Sequence, residues 1–93
     1  MKYNINFTLL AKKDLTNIQL YICNDDKNVA KNVISNILKQ IDLLSDTPSI
    51  GRAGRVLRTR ELIISKHPFI VPYLVKDGAV YILRVLHTSQ NWN

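Results

Sequence analysis

The residues best suited to chemistry in this chain are the basic side chains of its second half and a histidine near its end. The last apolar run closes with Arg84-Val-Leu-His87. A histidine titrates near neutral pH and can act as an acid or a base, and an arginine can stabilise charge on a phosphate. Arg84 can equally pair with Glu61, because an arginine inside an apolar hairpin is rarely left unpaired. We favour pairing for Arg84 and a capping or tail-anchoring role for His87. Glu61 could itself be a base, but we favour a role as a counter-ion to the neighbouring arginines.

A loop with two glycines and two arginines precedes these residues. It runs from Pro48 to Val56 and contains Arg52 and Arg55, and Arg58 and Arg60 follow it closely. From residue 47 onward, five arginines and two lysines face one glutamate and one aspartate, so this half carries +5 of the total charge of +6. Guanidinium groups match phosphates and carboxylates, so the loop predicts contact with a polyanion or an acidic partner. The alternative is a solvated basic surface.

Length and composition limit the classes of protein to which the chain can belong. Its 93 residues predict one domain, spanning 1–93, with a single core. At 46% apolar and 22% charged residues it is neither disordered nor membrane-embedded. No apolar run approaches the roughly 20 residues of a membrane helix. A lone cysteine, Cys23, excludes an internal disulfide and a cysteine-based zinc site. We therefore expect a cytoplasmic protein with no cofactor, no metal and no membrane partner.

Two helices are predicted in the first half of the chain. Thr8 is a natural N-cap for the first helix, which should end near 23–25, and Asp25 or Asp26 can cap the second. Apolar residues recur at helical spacing as Ala11, Leu15, Ile18 and Ile22, and then as Ala30, Val33, Ile34, Ile37, Leu38, Ile41 and Leu44. Helices joined by a few residues pack antiparallel, so this half predicts a helical hairpin.

Four strands are predicted around this helical hairpin. They are the alternating segment 2–8, the segment 58–64, and the apolar runs 69–75 and 80–86. Asp77-Gly78 lies between the last two runs and indicates a tight turn, because a type I′ turn needs positive φ at both central residues. The order β-α-α-β-β-β predicts an α+β fold, in which the helical hairpin packs on a mainly antiparallel four-stranded sheet.

The tight turn also predicts which side chains share a face of the sheet. A two-residue loop places Val71 opposite Arg84, so that Arg84 and Leu86 share the face of Val71, whereas Val85 and His87 share the other. Both faces are mostly apolar. This register therefore predicts a sheet that is covered on both sides.

The chain as a whole resembles the RelE/ParE superfamily of bacterial toxins from type II toxin–antitoxin pairs. The resemblance rests on the element order and on the segments Ala11-x-x-Asp-Leu-x-x-Ile18, Pro48-x-x-Gly-Arg52, Arg60-Glu-Leu62, Pro68-Phe-Ile-Val-Pro-Tyr73 and Ile82-Leu-Arg-Val-Leu-His87 with Gln90 and Trp92. It implies a cytoplasmic toxin held inactive by a cognate antitoxin, which typically wraps the toxin with an acidic segment. It also implies contact with operator DNA only through the antitoxin complex.

The resemblance implies one of two targets. ParE-like members poison DNA gyrase, whereas RelE-like and YoeB-like members cut messenger RNA on the ribosome. The RNA-cutting members carry an arginine where this chain has Ile70, and the closing Arg-Val-Leu-His looks more like the ParE branch. We favour gyrase as the target. The alternative is a ribosome-dependent endoribonuclease with a basic site built from Arg52, Arg55, Arg84 and His87.

The remaining candidate contacts with an antitoxin or a target follow from the same resemblance. They are Arg52, Arg55, Arg58, Arg60, Gln90 and Trp92. Trp92 could stack on a nucleic-acid base. We favour its packing on the core or in the groove that holds the antitoxin. His67, in a turn before Pro68, is expected to be exposed and without a role.

Overall fold

The computed structural model describes residues 2–89. Its elements are β1 (Asn4–Phe7), α1 (Leu9–Cys23), α2 (Lys27–Asp42), a 3-10 turn (Leu43–Ser45), β2 (Arg52–Ala53), β3 (Arg60–Ile63), β4 (Phe69–Lys76), β5 (Ala79–Ile82) and β6 (Leu86–His87). Two helices packed on a mixed sheet confirm the predicted α+β class. The sheet contains the four predicted strands and two further strands of two residues each, β2 and β6.

The strand order places the first strand beside β5. The order is β1-β5-β4-β3-β2, and β6 pairs with β4 beyond the end of β5. β1 runs parallel to β5, and the other pairs are antiparallel. The long connection that a parallel pair requires is made here by the two helices together with β2, β3 and β4. β1 and β2 therefore form opposite edges of the sheet.

Both helices begin at the predicted caps. The Thr8 hydroxyl accepts a hydrogen bond from the Ala11 N–H at 3.2 Å and donates one to the Leu83 carbonyl at 3.0 Å. The Asp26 carboxylate accepts from the Asn28 N–H at 2.8 Å. Each cap satisfies amide groups that the first turn of a helix leaves without partners. Neither helix of the described residues is long and apolar enough to cross a bilayer.

The core lies between the helices and one face of the sheet. Its buried members are Ala11, Val33, Ile37, Ile41 and Leu44 from the helical layer, and Leu62, Ile64, Phe69, Val71, Tyr73, Val80, Ile82 and Val85 from the strands and their ends. The predicted cover on both sides of the sheet is wrong. On the face away from the helices, Ile63 and Tyr81 are 48% and 37% exposed.

The β4–β5 hairpin has the predicted turn. Asp77 and Gly78 have φ values of 53° and 76°, and Tyr73 pairs with Ile82. Both central residues therefore adopt the left-handed conformation that a type I′ turn requires.

Beyond Ile82 the predicted register is wrong, because the chain contains a bulge. Tyr73 pairs with Ile82 and Ile70 pairs with Leu86, so three steps along β4 match four steps along the partner. The extra residue lies between Leu83 and Val85 and reverses the faces that follow. Val85 therefore enters the helix-side core, and His87 lies opposite Phe69 on that same side.

Candidate functional site

Arg84 is held by helix α1, and its predicted pairing with Glu61 is wrong. Its Nε and Nη2 atoms donate to the two carboxylate oxygens of Asp14 at 2.7 and 3.0 Å. The Val85 N–H donates to the same carboxylate at 2.9 Å. The hydrogen bonds to Asp14 raise the pKa of the Arg84 guanidinium despite the opposing effect of burial. The bulge explains the change of partner, because it takes Arg84 out of the strand ladder and turns it toward the helix.

Glu61 is a counter-ion, as predicted, but it binds the arginines of the loop and not Arg84. One carboxylate oxygen accepts hydrogen bonds from Arg52 Nε at 3.1 Å and Nη2 at 2.9 Å. The other accepts the Arg55 N–H at 3.0 Å. Burial by itself would raise the pKa of Glu61, but the bond from the Arg55 N–H and the Arg52 guanidinium outweigh it and lower that pKa. Glu61 is only 2% exposed and accepts bonds on both oxygens, so it serves as an ionised loop anchor and not as a base.

The loop before β2 wraps around the hydroxyl group of Tyr73. This hydroxyl donates to the Pro48 carbonyl at 2.6 Å and accepts from the Gly51 N–H at 2.8 Å. A Cβ atom at Gly51 would lie 2.5 Å from the hydroxyl oxygen, so only glycine fits there. Arg60 braces the same loop by donating to the carbonyls of Ser49 and Gly51 at 3.1 and 2.8 Å. The proline, glycine and tyrosine of the sequence motifs thus form one structural unit.

The four arginines of this region divide into two pairs. Arg52 and Arg60 are engaged in the fold, as described above. Arg55 and Arg58 are exposed at the tip of the β2–β3 hairpin, and their side chains make no hydrogen bond or ion pair within residues 2–89. Only the second pair is available to a partner without breaking a contact of the fold.

His87 lies on the other side of the sheet, in a cleft beside helix α1. Its ring packs edge-on against Phe69, with centroids 5.6 Å apart, and its Nδ1 lies 2.7 Å from the Ser89 hydroxyl and accepts the Ser89 N–H at 3.1 Å. These contacts agree with the favoured role of His87 as a cap at the end of the last strand. The cleft has a volume of about 680 Å³ and is also lined by His67 and Tyr21.

The sequence suggested that His67 is a plain exposed turn residue, but its ring contacts helix α2. Its Nδ1 lies 3.0 Å from the Asn36 side-chain amide, which also donates to the Ser65 carbonyl at 3.0 Å. Gln40 accepts a hydrogen bond from the Ser65 N–H at 2.9 Å. Two amide side chains of α2 therefore fix the β3–β4 turn and the position of His67. The helical spacing of Asn36 and Gln40 was the only signal in the sequence for this network.

The structure does not bring the four residues of the alternative nuclease site together. Glu61 lies opposite Pro72 in the β3–β4 pair, so Glu61 and its partner Arg52 belong to the face away from the helices. His87 belongs to the helix side. Arg84 is turned toward helix α1 and is bound there to Asp14. Gln90 and Trp92 lie outside the described residues.

A second basic surface, not predicted from the sequence, borders helix α2. It is a groove of about 950 Å³ that we call the lysine groove, with Lys27, Lys31 and Lys39 around an apolar floor that includes Ile5, Phe7, Ile34 and Leu38. The spacing of residues 27, 31, 34 and 38 places two lysines and two apolar side chains along one helix face. That spacing is the signal in the sequence that could have revealed the groove.

Comparisons with known proteins agree over nearly the whole chain. Residues 5–92 match the family model described as the ParE toxin of the type II toxin–antitoxin system parDE. The Y4kP protein of Sinorhizobium fredii is 40% identical over 88 residues, which cover 95% of this chain and 91% of that protein. The toxin RelE2 of Caulobacter vibrioides is 31% identical over 84 residues, which cover 90% and 93% of the two chains. A structure of the chromosomal ParDE system from P. aeruginosa superposes with a TM-score of 0.85 and 26% identity, over 92% and 96% of the chains.

Proposed function

This chain belongs to the ParE toxin family and is the toxin of a type II toxin–antitoxin system, and from that premise we propose that it acts by binding DNA gyrase and not by cutting RNA. Its similarity to the ParDE system of P. aeruginosa supports an antitoxin as its partner. A gyrase poison needs a binding surface, whereas a ribonuclease needs several catalytic groups around one phosphate. The arrangement of the charged side chains favours the first.

The observation that carries this proposal is the separation of the basic residues from His87. Cleavage by a ribose 2′-hydroxyl needs a base, an acid and a cation around one phosphate. Arg52 and His87 lie on opposite faces of the sheet, and Arg84 is bound to Asp14 through its Nε and Nη2 atoms. To offer Nε and Nη2 together to a phosphate, Arg84 would have to leave a carboxylate that also anchors the backbone of Val85.

The surroundings of Ile70 support the same conclusion. RNA-cutting relatives carry an arginine at this place in the strand, whereas here Ile70 is half-buried and pairs with Ile63 and Leu86 in the neighbouring strands. This centre of the open face is apolar. An apolar patch can bind protein, but it offers no charge to a phosphorane.

One observation favours the endoribonuclease as a second candidate. His87 and His67 come from different segments and line the same cleft. Two histidines around one phosphate can act as base and acid in the attack of a 2′-hydroxyl group. The cleft also contains Tyr21, a possible stacking surface for a base. This candidate needs no arginine of the loop.

The antitoxin belongs, on this proposal, in the lysine groove. A groove with an apolar floor and a lysine rim fits an amphipathic segment that carries carboxylates. The expected acidic segment of an antitoxin has this character. On this proposal the toxin binds gyrase through a different surface. It reaches operator DNA only through the antitoxin.

The test pairs a gyrase supercoiling reaction with programmed ribosomes, each with wild type, His87→Ala and His67→Ala. We expect wild type to inhibit supercoiling, His87→Ala to reduce this inhibition modestly through lost packing on Phe69, and messenger RNA to stay intact. Codon-level cleavage that vanishes in both histidine variants, without inhibition of gyrase, would establish the endoribonuclease instead. His67→Ala also removes a contact to Asn36, so melting temperatures must be compared first.

A further inference from the structure

We propose that the tip of the β2–β3 hairpin, Arg55-Val56-Leu57-Arg58, is the element that docks into the toxin's target, an apolar pocket with an acidic rim on a protein surface. This inference rests on the proposed function only in requiring that the target be a protein. We call these four residues the arginine tip. It lies at the β2 edge of the sheet, whereas the lysine groove is lined by the opposite edge strand, β1.

The first argument is the exposure of apolar side chains at the tip. Leu57 is 85% exposed, more than any other large apolar residue of the described chain, and Val56 beside it is also exposed. Exposed apolar pairs also occur along α1, as Leu9-Leu10 and Leu20-Tyr21, but Val56 and Leu57 differ in projecting at the end of a hairpin. A projecting leucine next to a valine offers apolar surface that a partner's pocket can bury.

The second argument is that the tip is already ordered. The Gly54 N–H donates to the Thr59 carbonyl at 2.8 Å, and the Thr59 N–H and hydroxyl both donate to the Val56 carbonyl, at 3.1 and 2.6 Å. Below these bonds, Glu61 holds the backbone of Arg55. A tip fixed in this way loses little conformational freedom on binding, so more of the contact energy appears as affinity.

The backbone of Arg58 allows its side chain to be tested without straining the turn. Its φ of 71° lies in the left-handed region, which an arginine rarely adopts. A glycine or asparagine would fit that backbone with less strain. Arg58→Gly therefore removes the side chain and relieves the backbone, so a loss of activity in this variant reports the side chain itself.

The third argument concerns the chemistry of the partner. Arg55 and Arg58 flank the apolar pair, and within residues 2–89 neither side chain makes a hydrogen bond or ion pair, so they predict carboxylates around the pocket. A leucine does not distinguish a base or bind a phosphate, and the tip has no aromatic ring on which a base could stack. The combination therefore fits a protein and not a nucleic acid.

The experiment compares four single substitutions in two matched pairs. Leu57→Ser removes the apolar anchor, and Leu20→Ser changes another leucine that is 61% exposed. Arg58→Gly removes a cation from a left-handed position, and Lys66→Gly does the same in the β3–β4 turn, where φ is 74°. Wild type and each variant are assayed for growth arrest without antitoxin, for melting temperature, and for binding to purified DNA gyrase.

We expect none of the four variants to melt much below wild type, because both leucines are exposed and glycine relieves the two left-handed positions. Leu57→Ser and Arg58→Gly should reduce growth arrest, and the affinity for gyrase where wild type binds it, by about tenfold or more, which is typical of a lost hot spot. The two controls should behave as wild type. Growth arrest can be measured whatever the target is. If wild type arrests growth without binding gyrase, the proposed function is refuted. The comparison of growth arrest among the variants still tests the tip.

Three results would overturn the inference. One is growth arrest by Leu57→Ser and Arg58→Gly equal to that of wild type. Another is loss of activity in Arg58→Gly alone with full activity in Leu57→Ser, which would assign the tip to a nucleic acid or another purely acidic surface. The third is loss of antitoxin binding with growth arrest retained, which would assign the tip to the antitoxin.

Discussion

Asp14 and Arg84 form a bidentate ion pair across 70 residues of sequence, and the same Asp14 carboxylate accepts the backbone N–H of Val85. One acidic side chain of α1 thus holds both the cation and the main chain of the bulge between β5 and β6. Because the bulge reverses the faces that follow it, this contact helps to decide that His87 lies on the helix side.

Breaking this pair should destabilise the fold and loosen the end of the chain. Asp14→Asn leaves Arg84 with a neutral partner and should lower the free energy of unfolding by about 2 kcal/mol, since bonds between charged groups are among the stronger ones. Arg84→Gln added to Asp14→Asn should cost much less than the two separate losses together, because they remove one interaction. Urea unfolding of the double-mutant cycle measures this coupling, and additive losses would show that the pair contributes little.

Glu61 should make the protein sensitive to acid. Its folded pKa lies below its ordinary value of 4.5, so its stabilising effect is complete above that pH and is lost as the pH falls through 4.5 to the lower folded value. Glu61→Gln should be less stable at pH 7, by about 2 kcal/mol, and should lose part of this acid dependence. Thermal unfolding between neutral and acid pH gives both quantities. An acid limb identical to that of wild type would contradict the assignment.

Tyr73→Phe should destabilise the loop before β2. It leaves the Pro48 carbonyl and the Gly51 N–H without their partner, which should cost about 1–3 kcal/mol. Tyr81→Phe is the matched control, because that ring is partly exposed on the open face. Chemical denaturation of the two variants should separate them, and equal losses would mean that the Tyr73 hydroxyl is not the anchor of the loop.

Tyr73 also predicts a decline in stability at high pH. Burial raises its pKa above the ordinary value of 10.0, although the Gly51 N–H and Arg60 oppose the shift. The unfolded chain therefore releases this proton first, and stability falls as the pH rises through 10.0 toward the folded pKa. Tyr73→Phe should lack this part of the alkaline decline. Its persistence in the variant would assign the decline to other groups.

The helix-side core should tolerate truncation far less than the helix surface. Ile37 is 0% exposed and Leu38, its neighbour, is 40% exposed. Ile37→Ala should cost about 2–5 kcal/mol, enough to abolish toxicity by unfolding a small domain. Leu38→Ala should cost less, since much of its side chain already contacts water. Similar losses for the two variants, measured by urea unfolding, would contradict the core assignment.

Charge reversal should show which basic surface guides the antitoxin. Lys27→Glu with Lys31→Glu should slow association with the antitoxin and weaken its salt dependence, because charges around an interface act mainly by steering. Lys76→Glu, beside the hairpin turn, is the control outside the groove. Stopped-flow association at low and moderate salt measures the effect. An effect of equal size per charge in the control would reflect net charge and not the groove.

Local patterns in the sequence determined the elements and the class of the fold. Helical spacing located both helices, Thr8 and Asp26 cap them as predicted, and Asp77-Gly78 forms the predicted turn. Each of these features depends on residues within a few positions of one another, so the sequence states them directly. The order of motifs along the whole chain then identified the toxin superfamily, which the comparisons confirm.

Tertiary structure alone decided the partners of the charged side chains and the face on which His87 lies. Arg84 pairs with Asp14, which is 70 residues away, and Glu61 pairs with Arg52 although Arg60 is nearer in sequence. Both outcomes depend on a one-residue bulge and on how loop and helix meet the sheet. Register has a period of two, so one added residue exchanges the faces of every side chain beyond it. Alternation along the strand cannot reveal such a shift, because here both faces of the hairpin are apolar.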